Sequence, residues 1–238
     1  MRITGRWLAV VSAAAVVLTL SASPAGAIVG GEVSTRHDGL AVVRHNGSAV
    51  CSGAIIDNHW VLTARHCVYR GTERVPNSEI SVRVKSYSTH ANGSIVAVAT
   101  SRARTNHDIA LLKLAGSANS EPVNMATKSP AVGAPVVAYG YGATADGRDM
   151  SALLRRAEMI ATSINAADNE GGRAVEARWS NGTICTGDSG GPLFKVVDGS
   201  RYLVGITSGT VHPYCSDRAV FSTVPESLDW INTVMDTV

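Results

Sequence analysis

The segment Thr186-Gly187-Asp188-Ser189-Gly190-Gly191-Pro192 sets one hydroxyl among glycines, which let backbone and an incoming ligand approach closely. Its Gly-x-Ser-x-Gly core fits a strand-to-helix elbow that exposes a serine above an α/β sheet. Context rules that out. An elbow is followed by a helix, which Gly190, Gly191 and Pro192 oppose, and by Asp and His far downstream. Only His212 follows Ser189, and too few residues remain to build such a fold. The partners of the serine therefore lie upstream.

The chain on either side of this segment is written in short β-rich runs separated by Gly, Asn, Ser and Pro. Strands are predicted at 41–43, 60–63, 80–84, 94–99, 109–114, 135–139, 202–206 and 219–224, a spacing that points to an all-β barrel or sandwich. Ile80, Val82 and Val84 alternate with Ser81 and Arg83, as a strand with one buried face does. Asn46-Gly47 and Asn92-Gly93 suit tight hairpins. The polar stretch 116–130 reads as a linker between two β halves, 28–121 and 122–238. Helical spacing occurs at the C-terminal end, where Leu228, Ile231, Val234 and Met235 follow a Thr223/Glu226 capping box.

The first 27 residues carry Arg2 and Arg6, an apolar run from Trp7 to Leu20 and a terminal Ala-x-Ala, the layout of a secretory signal peptide. The run is shorter than a membrane span requires. The chain of 238 residues less these 27 leaves 211, enough for one large β domain or two small ones. Of 21 Lys and Arg, Arg2 and Arg6 leave with that segment, and 19 then balance 19 Asp and Glu. Neither nucleic acid nor a membrane surface is implied as a partner after signal cleavage. Cys51, Cys67, Cys185 and Cys215 form an even set in an exported chain, so disulfides lead. A zinc site is the alternative, without a Cys-x-x-Cys pair to support it.

Upstream of Ser189, His66 lies in Leu62-Thr63-Ala64-Arg65-His66-Cys67 and Asp108 in Asn106-His107-Asp108-Ile109-Ala110-Leu111-Leu112. The order His, Asp, Ser in these contexts, with Ile28-Val29-Gly30-Gly31 after the signal, resembles the chymotrypsin-like (trypsin-fold) serine proteases over essentially the whole mature chain. The resemblance implies two six-stranded antiparallel β-barrels and a C-terminal α-helix. His66 and Asp108 would lie on the first barrel, and Ser189 with its pocket on the second.

By the same resemblance His66 is the base for Ser189, Asp108 orients His66, and the amides of Gly187 and Ser189 form the oxyanion hole. Ser208, in Gly205-Ile206-Thr207-Ser208-Gly209, supports Asp108 and pairs with substrate. Cys51 with Cys67 and Cys185 with Cys215 match the family's bridges. A free Ile28 ammonium would pair with Asp188 and order the pocket, with signal removal itself as the activating cut. Thr183 stands at the pocket floor and Thr210 and Ala219 at its walls. Lacking an aspartate there, the pocket is expected to take small or medium apolar side chains.

Arg65 departs from the small residue the family prefers before the histidine, and must turn outward or be buried at a cost. Asp217-Arg218-Ala219 replaces the usual Pro-Gly, and two bridges suggest a compact bacterial type. The expectation is a secreted, monomeric endopeptidase acting on proteins or peptides, without metal or cofactor, and open to protein protease inhibitors. A catalytically silent binding homologue and an esterase with the same triad are the rival readings.

Overall fold

The computed structural model describes residue 28 and residues 31–143, 150–211 and 215–238; the predicted signal segment, 1–27, lies outside them. Six strands form the first barrel: β1 (Leu40–His45), β2 (Ser48–Asp57), β3 (Trp60–Thr63), β4 (Ile80–Val84), β5 (Ser94–Ala103) and β6 (Ala110–Leu114). Each pairs antiparallel with its neighbours in the cyclic order β1-β2-β3-β6-β5-β4. The second barrel consists of β7 (Pro135–Gly140), β8 (Arg155–Ala167), β9 (Arg173–Trp179), β10 (Pro192–Val197), β11 (Ser200–Thr210) and β12 (Arg218–Thr223). Its order is β7-β8-β9-β12-β11-β10, the same path as the first. The two halves thus repeat one topology that no repeat in the sequence reveals.

Patterning explains the strands that the sequence showed. In β4, Ile80, Val82 and Val84 are buried and Ser81 and Arg83 half-exposed. Four strands escaped it. β8 reads Arg-Arg-Ala-Glu-Met-Ile-Ala, rich in helix formers, yet Ala157, Met159 and Ala161 point inward at period two. β2 and β9 likewise bury small residues where strands crowd together, Ser52, Gly53 and Ala54 in one and Ala174 and Ala177 in the other, whereas β10 buries Leu193 and Phe194 in a strand of six residues without alternation.

Asn46 and Gly47 both take positive φ, 47° and 84°, and join β1 to β2 in two residues. Asn92 and Gly93 also take positive φ but do not form a tight hairpin, because they close a longer connection, 85–93. The stretch between β6 and β7 adds a parallel pairing of Asn124 and Met125 with Tyr202 and Leu203. It is stitched to both barrels through Val123 N to Ile55 O and Ala126 N to Leu203 O, each 2.9 Å.

The terminal helix α1 (Leu228–Thr237) follows a 3-10 turn, Pro225–Ser227. Its capping differs from expectation. Thr223 is buried at the end of β12 and makes no cap bond; its carbonyl instead accepts the Ser227 hydroxyl at 2.9 Å. The apolar stripe behaves as its spacing requires, with Ile231 buried and Leu228, Val234 and Met235 packed against the cluster centred on the first barrel.

Candidate active site

His66 lies in a 3-10 turn, Arg65–Val68, just after β3, and Asp108 just before β6. Since β3 and β6 pair side by side, the two residues meet. His66 Nδ1 lies 2.8 Å from Asp108 Oδ2, and the His66 backbone N donates to Asp108 Oδ1 at 3.0 Å. Ser208, on β11 of the second barrel, donates its hydroxyl to Asp108 Oδ2 at 2.6 Å. The Asp108 side chain is fully buried while that of His66 is 37% exposed.

Burial acts to raise the Asp108 carboxyl, but hydrogen bonds from His66 and Ser208 and the charge of His66 hold it below the ordinary carboxylate range. An ionised Asp108 needs a proton on Nδ1, which leaves Nε2 as a free base.

Ser189 is half-buried in the turn between Cys185 and β10. Within that turn the amides of Asp188, Gly190 and Gly191 donate to Cys185, Thr207 and Asp188 carbonyls at 3.1, 2.8 and 2.8 Å. Those of Gly187 and Ser189 donate to no described residue. The Thr186 carbonyl accepts from Ala143 N at 2.6 Å. A trans peptide points its C=O and N-H in opposite directions, so this bond turns the Gly187 N-H the other way.

Ser52 of β2 holds the turn from the first barrel: its N donates to Ser189 O at 2.8 Å and its hydroxyl to Gly187 O at 3.0 Å. Gly190 has to be glycine, since a Cβ there would overlap Ser52 O and Thr63 Oγ1.

Asp188 is fully buried and accepts from Gly142 N at 2.7 Å and Cys185 N at 2.9 Å. Burial pushes its carboxyl up to about 7, against which the two amides act. Ile28 is also fully buried, in the apolar cluster of the second barrel that contains Ala138 and Ile184. Residues 29 and 30 lie outside the described set.

His66, Gly187 and Ser189 line one cleft of about 430 Å³, together with Ile184, Gly209 and Thr210. Thr183 and Ala219 do not border it: Thr183 is half-buried, and Ala219 is fully buried in the second cluster. Both disulfides form, Cys51 with Cys67 beside the His66 turn and Cys185 with Cys215 before the Ser189 turn. The Cys51 and Cys67 sulfurs lie within 4.8 Å of a His66 ring nitrogen, but the bridge leaves no thiolate to hold an ion. Arg65 turns outward, stacking at 4.1 Å on the Tyr69 ring and pairing with Glu170 at 3.6 Å.

Three residues here carried no motif. Besides Ser52, the turn after β8 supplies Asp168, whose Oδ2 accepts from Asp108 N at 2.9 Å, and Asn169, whose N donates to Ser208 Oγ at 3.1 Å. Nothing in the local sequence marks them, since their role depends on which strand ends the fold brings together.

Twin barrels with an imidazole–carboxylate pair and a glycine-cradled serine in one cleft define a hydrolase of the barrel serine-protease class. The trypsin family model matches residues 28–231. A serine protease of Anopheles gambiae is 33% identical over 87% of this chain and 81% of its own. A trypsin of Lucilia cuprina is 27% identical over 90% and 89%, and tonin of Rattus norvegicus 27% over 96% and 98%. The chain belongs to the trypsin family and is a serine endopeptidase. Its relatives here are insect and rodent proteins, and lend nothing to a bacterial type.

Proposed function

We propose that the protein is a secreted endopeptidase that cleaves proteins and peptides through an acyl-enzyme on Ser189. His66 Nε2 takes the hydroxyl proton as Ser189 attacks the carbonyl carbon, and gives it to the departing amine; water then releases the acyl group by the same route. Asp108 fixes the tautomer and stabilises the imidazolium, Ser208 supports Asp108, and the Gly187 and Ser189 amides receive the oxyanion. Each oxyanion donor is worth roughly 3 to 4 kcal/mol of barrier.

The observation that carries this reading is the row Ser208–Asp108–His66, with bonds of 2.6 and 2.8 Å, ending in the cleft that Ser189 lines. A serine-directed fluorophosphonate is expected to label the mature protein once, with no label on Ser189→Ala. Failure to label would indicate a binding homologue, and turnover of esters without amides an esterase.

Cleavage between Ala27 and Ile28 supplies the ammonium that pairs with Asp188. The support is a buried carboxylate that, among the described residues, meets two amides and no cation. Mass spectrometry of the secreted protein is expected to give Ile28 as the first residue; a start further upstream would mean another cut is required.

The primary pocket takes small or medium apolar residues, supported by the Ile184 and Thr210 lining of the cleft, among whose described lining residues no carboxylate occurs. Peptides differing only at that residue test this, and a best rate on arginine would overturn it. The enzyme works as a monomer without metal or cofactor, protein protease inhibitors would occupy the same cleft, and the compact bacterial type rests on the two-bridge count alone.

A further inference from the structure

We propose that Asp168, in the turn between β8 and β9, is a positioning residue for catalysis, docking the Asp108 backbone of the first barrel onto the second. The proposal rests on the triad reading above. His66 and Asp108 belong to one barrel and Ser189 to the other, so any slip between barrels changes the separation between hydroxyl and imidazole directly. A reaction that depends on two groups in hydrogen-bond reach needs something to fix that distance.

The backbone of Asp108 is tied to the second barrel at both ends. Its N donates to Asp168 Oδ2 at 2.9 Å, and its carbonyl accepts the Ser222 hydroxyl at 2.9 Å; that hydroxyl also lies 2.9 Å from Asp168 Oδ2. Asp168 is 5% exposed, and its Oδ1 accepts from Glu170 N at 3.0 Å and Gly172 N at 2.9 Å. Three backbone amides, those of Asp108, Glu170 and Gly172, thus converge on its two oxygens and fix the orientation of the carboxylate.

The same turn reaches the side chain of Asp108. Asn169 N donates to Ser208 Oγ, which leaves the Ser208 proton for Asp108 Oδ2. Asn169 Nδ2 donates to Ser208 O at 2.8 Å, and Glu170 pairs with Arg65, the residue before His66. Gly172 packs so closely on His107 and Asn106 that a Cβ would overlap both. Four residues of this turn, Asp168, Asn169, Glu170 and Gly172, thus hold the backbone of Asp108 and its neighbours, its carboxylate partner and the residue beside the base. If Asp168 merely satisfied buried donors, its loss would lower stability and leave turnover per folded molecule unchanged.

The test compares Asp168→Ala, Asp168→Asn and Ser222→Ala with Met235→Ala, a variant in α1 remote from the triad, with active sites counted by fluorophosphonate. A slip of about 1 Å predicts that Asp168→Ala lowers kcat about 100-fold while KM changes less than about threefold. Asp168→Asn keeps one acceptor oxygen and is expected to lose about tenfold, and Ser222→Ala at least about threefold. Unchanged kcat in Asp168→Ala, or an equal loss in Met235→Ala at matched melting temperature, would overturn the proposal. If Asp168→Ala does not fold, unchanged kcat in Ser222→Ala does the same. Full activity of Ser189→Ala would instead sink the triad reading on which this one stands.

Discussion

Asp108 shows how much a single residue's environment decides. Its fully buried carboxylate would tend to take up a proton, and is kept ionised by donors from His66 and Ser208. An amide in its place presents one acceptor oxygen and lets the ring carry its proton on Nε2, where it cannot serve as base. Asp108→Asn is therefore expected to lower kcat by about 10⁴ with KM little changed, measured on any amide substrate. The residues proposed as the triad stand out in the sequence because each lies in a distinctive short segment: Asp188-Ser189-Gly190-Gly191, Ala64-Arg65-His66-Cys67 and His107-Asp108-Ile109-Ala110. Ser52, Asp168 and Asn169 do not. Their side chains act on backbone groups far away in the chain, and a backbone group carries no residue signature.

At the scale of elements, the barrels meet at the turn of Ser189, which Ser52 of β2 holds from the first barrel, while each disulfide closes within one barrel. The Cys51–Cys67 bridge closes a 16-residue separation and fastens the turn of His66 to β2. Replacing both cysteines with serine is expected to cost roughly 2 to 4 kcal/mol, read from a denaturant midpoint. Ile231 is fully buried where α1 packs on the first-barrel cluster, so Ile231→Ala is expected to cost about 2 to 5 kcal/mol while leaving KM unchanged. The helix illustrates what periodicity can and cannot say: its apolar stripe was readable, but its cap was not, because Thr223 is buried in β12 before the helix begins. β8 escaped notice for a related reason. Alanine and arginine favour a helix locally, and pairing with β7 and β9 overrides that preference.

For the whole molecule the informative quantity is stability against pH. In the intact chain the folded Asp188 carboxyl is raised to about 7 from 3.8, so the folded state holds its proton more tightly. That contribution is fully present below about pH 4 and is lost as the pH rises to 7, on the order of 4 kcal/mol. A chain beginning at Ile28 should not show this loss, because an ammonium beside Asp188 favours the carboxylate until it deprotonates in alkali. Thermal midpoints of both forms between pH 4 and 8 check this, and identical curves would contradict the pairing. Asp108 has the opposite sign: held low, it contributes above the ordinary carboxylate range and its contribution fades in acid. By itself the sequence determined the all-β class, the candidates for the reactive groups and the four cysteines, since alternation, glycine-flanked segments and cysteine number are local properties. Only the tertiary structure decided that the two barrels follow one strand order, that Thr183 and Ala219 stay out of the cleft, and that Asp168 reaches Asp108. Those facts depend on contacts between residues tens of positions apart, and such contacts exist only once both barrels have closed and docked.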